Sequence, residues 1–218
     1  MVYLPKDFEV TDVPEIVGFV EAIGAADLVT ADPNGRLVAT LMPVLWDRRT
    51  WDPDGGGYGK LIMHMARANA HWQSILVGSQ GLAIIHGPQA YISPSTYATK
   101  QEHGKVVPTW DYVSIQFAGS VEVTEDVEEL RKIVTGLTDF HESRREEQWQ
   151  VSDAPESYIN AQLHGIVGIS MQITEINAKA KLSQNRSLAD RLGVAADLHA
   201  SDRADDKEIA ALIDRFLL

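Results

Sequence analysis

The sequence predicts a β-rich α+β fold, an antiparallel barrel of short strands with peripheral helices, and three observations carry that expectation. Apolar β-prone runs recur at short intervals and are joined by turn sequences such as Asp32-Pro-Asn-Gly35, as hairpin-linked strands require. Helical periodicity is confined to segments between and after those runs, and no strand is followed by the G-x-G-x-x-G of a dinucleotide-binding unit. The chain of 218 residues, 44% hydrophobic and 23% charged, suffices for one domain, or one domain with a helical appendage.

In chain order, Asp12-Val-Pro-Glu15 has the form of a helix start, with Asp12 as N-cap and Pro14 in the first turn. Val13, Ile16, Val17, Val20 and Ile23 then share one face, and Gly24 ends the helix. The runs 26–31 and 36–46 flank the Asp32–Gly35 turn as a hairpin, and Pro43 predicts an edge or bulge in its second strand. The glycine-rich stretch Asp52–Lys60 reads as a mobile hairpin loop. As a phosphate loop it fails, since that motif needs Gly at Asp54 and Ser or Thr at Leu61. The next strand reaches about Met65, Asn69 can cap, and 70–77 predicts a short helix.

Two short strands, Gly81–His86 and Gln89–Ile92, are expected on either side of Gly87-Pro88. Beyond them, 106–123 reads as one long strand or two with a bend, Val113, Ile115 and Phe117 forming its apolar face. From Thr124 the pattern turns helical through Val127, Leu130, Ile133, Val134, Leu137 and Phe140, with 142–150 as a charged end or linker. A second helix starts at Ala154-Pro155 and runs to about His164. The run 166–182 alternates as a long strand, Ser187 caps a short helix stopped by Gly193, and the acidic tail ends in a stripe of Ile209, Leu212, Ile213 and Phe216. The tally is about six to eight strands. The expected division is a domain over 1–193, including a helix at 124–149, and an acidic helical tail over 194–218.

Charge narrows the partners. The formal net charge is −12 and the pI 4.9, with 8 basic and 12 acidic residues up to Ser120 and 11 and 19 beyond it, so neither half is a basic module. Such a field repels nucleic acid and anionic membranes, and direct DNA contact would need a local patch such as Arg144 and Arg145. With no cysteine there is no disulfide, thiolate catalysis or Cys-ligated zinc. Without a secretory leader pattern or a membrane-length apolar run, a cytoplasmic protein is expected.

Hydrolase signatures are missing from the sequence. It contains no G-x-S-x-G, and its His141-Glu142 pair continues as Ser-Arg-Arg instead of x-x-His. His64 and His71 fall across a strand-helix break, so they cannot share a helix face as ligands and read as satisfied structural histidines. Polar clusters remain at strand ends: Arg67 and Asn69; Ser93, Tyr97 and Lys100; Thr109 and Trp110; and Lys181, Ser183, Gln184, Asn185 and Arg186. Guanidinium, ammonium and hydroxyl donors suit a phosphate and an indole suits a planar ring, so the clusters fit a phosphorylated aromatic cofactor or, equally, ordinary surface charge.

Six blocks, in order, carry a family resemblance. They are Met1–Phe8; Ala39-Thr-Leu-Met-Pro43; His64-Met-Ala-Arg-Ala-Asn69 with Trp72; Tyr91-Ile-Ser-Pro-Ser95 with Tyr97 and Lys100; Val107-Pro-Thr-Trp110 with Tyr112; and Lys181-Leu-Ser-Gln-Asn-Arg186. Together they resemble the PaiB family of FMN-binding negative transcriptional regulators over nearly the whole chain. The resemblance implies an antiparallel split β-barrel like that of the pyridoxamine-phosphate oxidases, a homodimer, and FMN between subunits. It also implies that His64, Arg67 and Asn69 hold the flavin phosphate, and that the strand from Thr40 to Pro43 lies along the ring. Lys100, Trp110, Lys181, Ser183, Gln184 and Asn185 stand in matching blocks and complete the expected cofactor set. Three positions depart from the family pattern: Ala70 in place of Pro, Asp111 in place of Asn and Gln116 in place of His. Asp111 would set a carboxylate beside an anionic cofactor. The expected function is FMN binding with an indirect link to transcription; the alternative is a flavin-dependent oxidoreductase acting on a small molecule.

Overall fold

The structure is a computed structural model that describes residues 2–52 and 57–217. Most of the glycine-rich loop expected at Asp52–Lys60, namely 53–56, lies outside the described residues. The helices are α1 (Val13–Ile23), α2 (Thr99–His103), α3 (Val127–Glu142), α4 (Glu156–Leu163), α5 (Leu188–Ala200) and α6 (Ala204–Asp214). The strands are β1 (Ala25–Ala31), β2 (Leu37–Pro43), β3 (Leu45–Asp52), β4 (Gly57–Ala66), β5 (Ser79–Ile92), β6 (Thr109–Thr124) and β7 (Ile166–Lys181). They form a seven-stranded antiparallel sheet in the order β2-β1-β5-β6-β7-β4-β3. The hydrogen-bonded order ends at β2 and β3 and does not close on itself.

Local chemistry explains most boundaries. Asp12 accepts the N–H of Glu15 at 3.0 Å and starts α1. In the β1–β2 turn, Asp32 accepts the N–H groups of Asn34 and Arg36, which sets the register that pairs Ala31 with Leu37. The expected second strand of this hairpin divides in two. Pro43, which has no N–H, closes β2 against β1; the Val44 N–H turns to the Gly24 carbonyl at 3.0 Å, and β3 begins a new ladder with β4. Pro43 therefore sits on an edge strand, as its chemistry requires.

The Gly87-Pro88 pair expected to separate two strands lies within one, β5. Gly87 is needed for close approach, because a Cβ there would stand 2.8 Å from the Val113 side chain. Pro88 lies beyond residues 81–84, the part of β5 that β1 pairs with, so its missing N–H takes no bond from that ladder. The helix expected to stop at Gly193 runs on to Ala200; a Cβ at 193 would come within 2.1 Å of the Thr96 carbonyl, so this glycine permits packing and does not end the helix. The helix expected over 70–77 is a single 3-10 segment, Ala70–Ser74, which Asn69 caps through the His71 N–H.

The chain divides into two compact units. One comprises Met1–Phe19, His86–Ile115 and Asn177–Leu218. Its core gathers Ile92, Tyr97, Val113 and Leu182 with Val194 and Leu198 of α5 and Ile209 and Ile213 of α6, so the helices of the expected tail belong to this core. The other comprises Val20–Ile85 and Gln116–Ile176. There α3 and α4 bury Leu130, Ile159 and Leu163, while Trp46 meets Phe117 edge-on at 5.1 Å. No helix among the described residues is long and apolar enough to cross a membrane.

Candidate functional site

The end of β4 delivers Arg67 and Asn69 just beyond the last ladder pair, Ala66 with Ile166. The Arg67 N–H donates to the Gly165 carbonyl at 2.8 Å, which anchors the chain as it leaves the sheet. Its guanidinium donates through Nε to the His164 carbonyl (2.8 Å), through Nη2 to the Ile166 carbonyl (3.2 Å), and through Nη1 to the Glu125 carboxylate. Two carbonyls thus orient the arginine, and its remaining arm meets an acid. That ion pair is open to water, Arg67 at 37% and Glu125 at 52% of their side-chain surface, and such pairs are weak and exchangeable. Trp72 flanks the guanidinium and donates its indole N–H to the Arg67 carbonyl at 2.9 Å.

Asn69 uses both ends of its amide. Oδ1 accepts the His71 N–H at 3.0 Å, and Nδ2 donates to the Thr40 hydroxyl at 3.3 Å. Thr40 Oγ1 lies 2.8 Å from His71 Nδ1, and Thr30 Oγ1 lies 2.9 Å from His71 Nε2. His71 is buried, and desolvation pushes its pKa below the ordinary imidazole value. His64 is different. Its ladder partner is Gly168, so its ring points to the same side of the sheet as the Gly168 Cα, the side that Leu130 and Ile133 of α3 cover. Its Nδ1 is buried without a partner, and burial lowers its pKa as well. The expectation of two satisfied histidines therefore holds for His71 and fails for His64 at Nδ1.

In the other unit, the expected residues close on one another. Lys181 donates to the Thr109 hydroxyl (3.0 Å), the Trp110 carbonyl and Asp111 Oδ1 (3.0 Å). Ser183, in a left-handed conformation at φ 59°, donates to Asp111 Oδ2 at 2.6 Å. Gln184 folds back to accept the Leu182 N–H and donate to the Ala180 carbonyl. Asp111 is fully buried. Burial pushes its carboxyl up, opposed by the Ser183 hydrogen bond and then by the Lys181 charge. The carboxylate expected to trouble a nearby anion is thus already neutralised by a lysine. Lys100 reaches the Ser95 hydroxyl at 3.2 Å, Trp110 is half exposed against Tyr91, and Asn185 is exposed.

The donor chemistry at the end of β4, a guanidinium, a hydroxyl and an amide, fits a phosphate monoester. That donor set stands at a strand end of the antiparallel sheet. Residues 2–175 match the family described as "Putative FMN-binding domain", and the chain belongs to that family. The expected PaiB likeness holds with it, and the cofactor of the domain is FMN. The chain is similar to "Protease synthase and sporulation protein PAI 2" of Bacillus subtilis (strain 168), 29% identical over 212 residues, which cover 97% of this chain and 96% of that one. Its fold is similar to that of a conserved hypothetical protein from Mycobacterium tuberculosis, with a TM-score of 0.57 and 12% identity over 85% of this chain and 94% of that one. It is also similar to an FAD and heme binding protein from Mycobacterium smegmatis, with a TM-score of 0.56 and 14% identity over 79% and 73% of the two chains.

Sequence reasoning missed Glu125 and Thr30 and undervalued His71. Thr30 carried a signal, since it continues the inward row of Ala26 and Leu28, where a buried hydroxyl needs a partner. The partner lies 41 residues away, and no local pattern names it.

Proposed function

We propose that the chain is an FMN-binding split-barrel protein that acts in regulation as a cytoplasmic homodimer, with the flavin phosphate at the end of β4. The observation that carries the placement is that Asn69 and Thr40 share a hydrogen bond beside the end of β4, where Arg67, two residues before Asn69, is oriented by two carbonyls. When bound, the isoalloxazine supplies redox-active aromatic chemistry; the residues of the chain bind the phosphate and orient the ring along β2. The split-barrel reading is supported by the strand order, whose two ends, β2 and β3, are successive segments separated by Val44 alone. The outward face of β2, where Leu37 and Leu41 are exposed, supports self-association.

Regulation is supported by the similarity to the Bacillus subtilis protein, whose name joins "protease synthase" and "sporulation", across nearly all of both chains. The net charge of −12 supports an indirect route over direct DNA contact. A groove of 920 Å³ between β3, β4 and α3, floored by Leu45, Trp46, Ile62 and Ile133, contains none of the proposed cofactor residues.

Titration of the purified protein with FMN tests the reading. Saturable quenching of flavin fluorescence is expected, and sedimentation is expected to give a dimer mass. Absence of quenching at high micromolar FMN would remove the cofactor placement, and a monomer mass would remove the dimer.

A further inference from the structure

We propose that His71 is a positioning residue of the flavin site, holding the Thr40 hydroxyl and the Asn69 amide in the orientation that meets the phosphate. The inference rests on the placement of FMN at the end of β4. His71 is 3% exposed, and groups from three segments converge on it. Thr30 of β1 and Thr40 of β2 hold its two ring nitrogens at 2.9 and 2.8 Å, and its own N–H binds Asn69 Oδ1 at 3.0 Å. That last bond turns Asn69 Nδ2 toward Thr40 Oγ1 and completes a ring of contacts: His71, Asn69, Thr40 and back to His71.

The chemistry of a neutral imidazole makes the arrangement functional. It has one N–H and one lone pair, so its tautomer decides what Thr40 has left to offer. With the proton on Nε2, His71 donates to Thr30 and accepts the Thr40 hydroxyl proton, and Thr40 has no donor for a ligand. With the proton on Nδ1, His71 donates to Thr40, Thr30 donates to Nε2, and the Thr40 proton is free. A phosphate monoester dianion accepts hydrogen bonds only, so its binding selects the second arrangement. Thr30, 2% exposed and cut off from water, is the donor that supports it.

The test uses the full-length protein and FMN, reading Kd by fluorescence quenching and the visible circular dichroism of the bound flavin. His71→Leu and Thr30→Val are each expected to raise Kd roughly tenfold, about the worth of one hydrogen bond, and to change the dichroic band. Thr30→Ser, which keeps the hydroxyl, is expected to bind as the unmodified chain does. Should His71→Leu fail to fold, the contrast between Thr30→Val and Thr30→Ser decides alone, since valine preserves the shape of threonine in the core. Unchanged Kd in Thr30→Val and His71→Leu, with a raised Kd in Thr40→Val, would overturn the role of His71 and leave the flavin placement standing. Unchanged Kd in Thr40→Val, Asn69→Ala and Arg67→Ala together would overturn the placement itself, and the role of His71 with it.

Discussion

At the end of β4, Arg67 keeps more than a third of its side chain in solvent, and its acidic partner Glu125 is exposed too. At the end of β7, Lys181 and Ser183 close on Asp111, which has no exposed surface at all. Both are polar clusters at a strand end, and the sequence treats them alike. The dielectric around them does not. An exposed ion pair exchanges its partner for a ligand at little cost, whereas breaking a buried pair leaves an uncompensated charge in the core. The first strand end is therefore suited to an anion that comes and goes, and the second to holding its own unit together.

The sharpest way to break this contrast is Asp111→Ala. It is expected to destabilise the protein by about 3 to 5 kcal/mol in urea unfolding, since Lys181 and Ser183 lose their buried acceptor, while folded molecules keep their FMN affinity. A variant of unchanged unfolding midpoint that no longer bound flavin would reverse the assignment of the two strand ends. Arg67→Ala comes next: FMN binding is expected to weaken by about 1.5 to 3 kcal/mol, the worth of a hydrogen bond to a charged group, with a smaller change in midpoint than Asp111→Ala. A smaller effect of opposite sign is expected from Glu125→Gln. Freeing the Nη1 arm should tighten FMN binding by about 0.5 to 1 kcal/mol, more at low salt than at high, and isothermal titration at two ionic strengths measures it.

The pH dependence of stability is the finest test. His64 and His71 titrate below the ordinary imidazole value because burial disfavours their charged forms. The unfolded chain then binds more protons, so stability is full above about pH 6.5 and declines as pH falls from there toward the folded values. His71→Leu should flatten that decline. Asp190 acts lower on the scale. Burial works to raise its pKa, but hydrogen bonds from Thr99 and Ser187 outweigh it, so its contribution is present above the ordinary carboxylate range and lost as pH falls through its depressed value.

Much of the fold was legible because it rests on local chemistry. Asp12, Asn69 and Ser187 cap as their types predict, and the periods of β6, β7 and α3 match their apolar residues. The three misreadings share a cause. Gly87, Pro88 and Gly193 read locally as breakers, yet the two glycines admit a neighbouring segment and Pro88 lies beyond the part of β5 that β1 pairs with. Asp111 was in principle readable, since it extends the inward row of Val113, Ile115 and Phe117 by one more step of two, and a carboxylate there must find a cation.

The sequence by itself determined the strand and helix periods, the caps, the acidic surface and the family blocks, because each depends on residues within one or two turns of each other. Only the tertiary structure decided which polar strand end is sealed and which is open. Whether Lys181 or Arg67 keeps a free arm depends on Asp111 and Glu125, 70 and 58 residues away. It likewise decided that His71 joins Thr30 to Thr40 while Nδ1 of His64 is buried without a partner. Burial and hydrogen-bond partnership are properties of packed segments, and they set the local dielectric that separates a structural pair from a binding one.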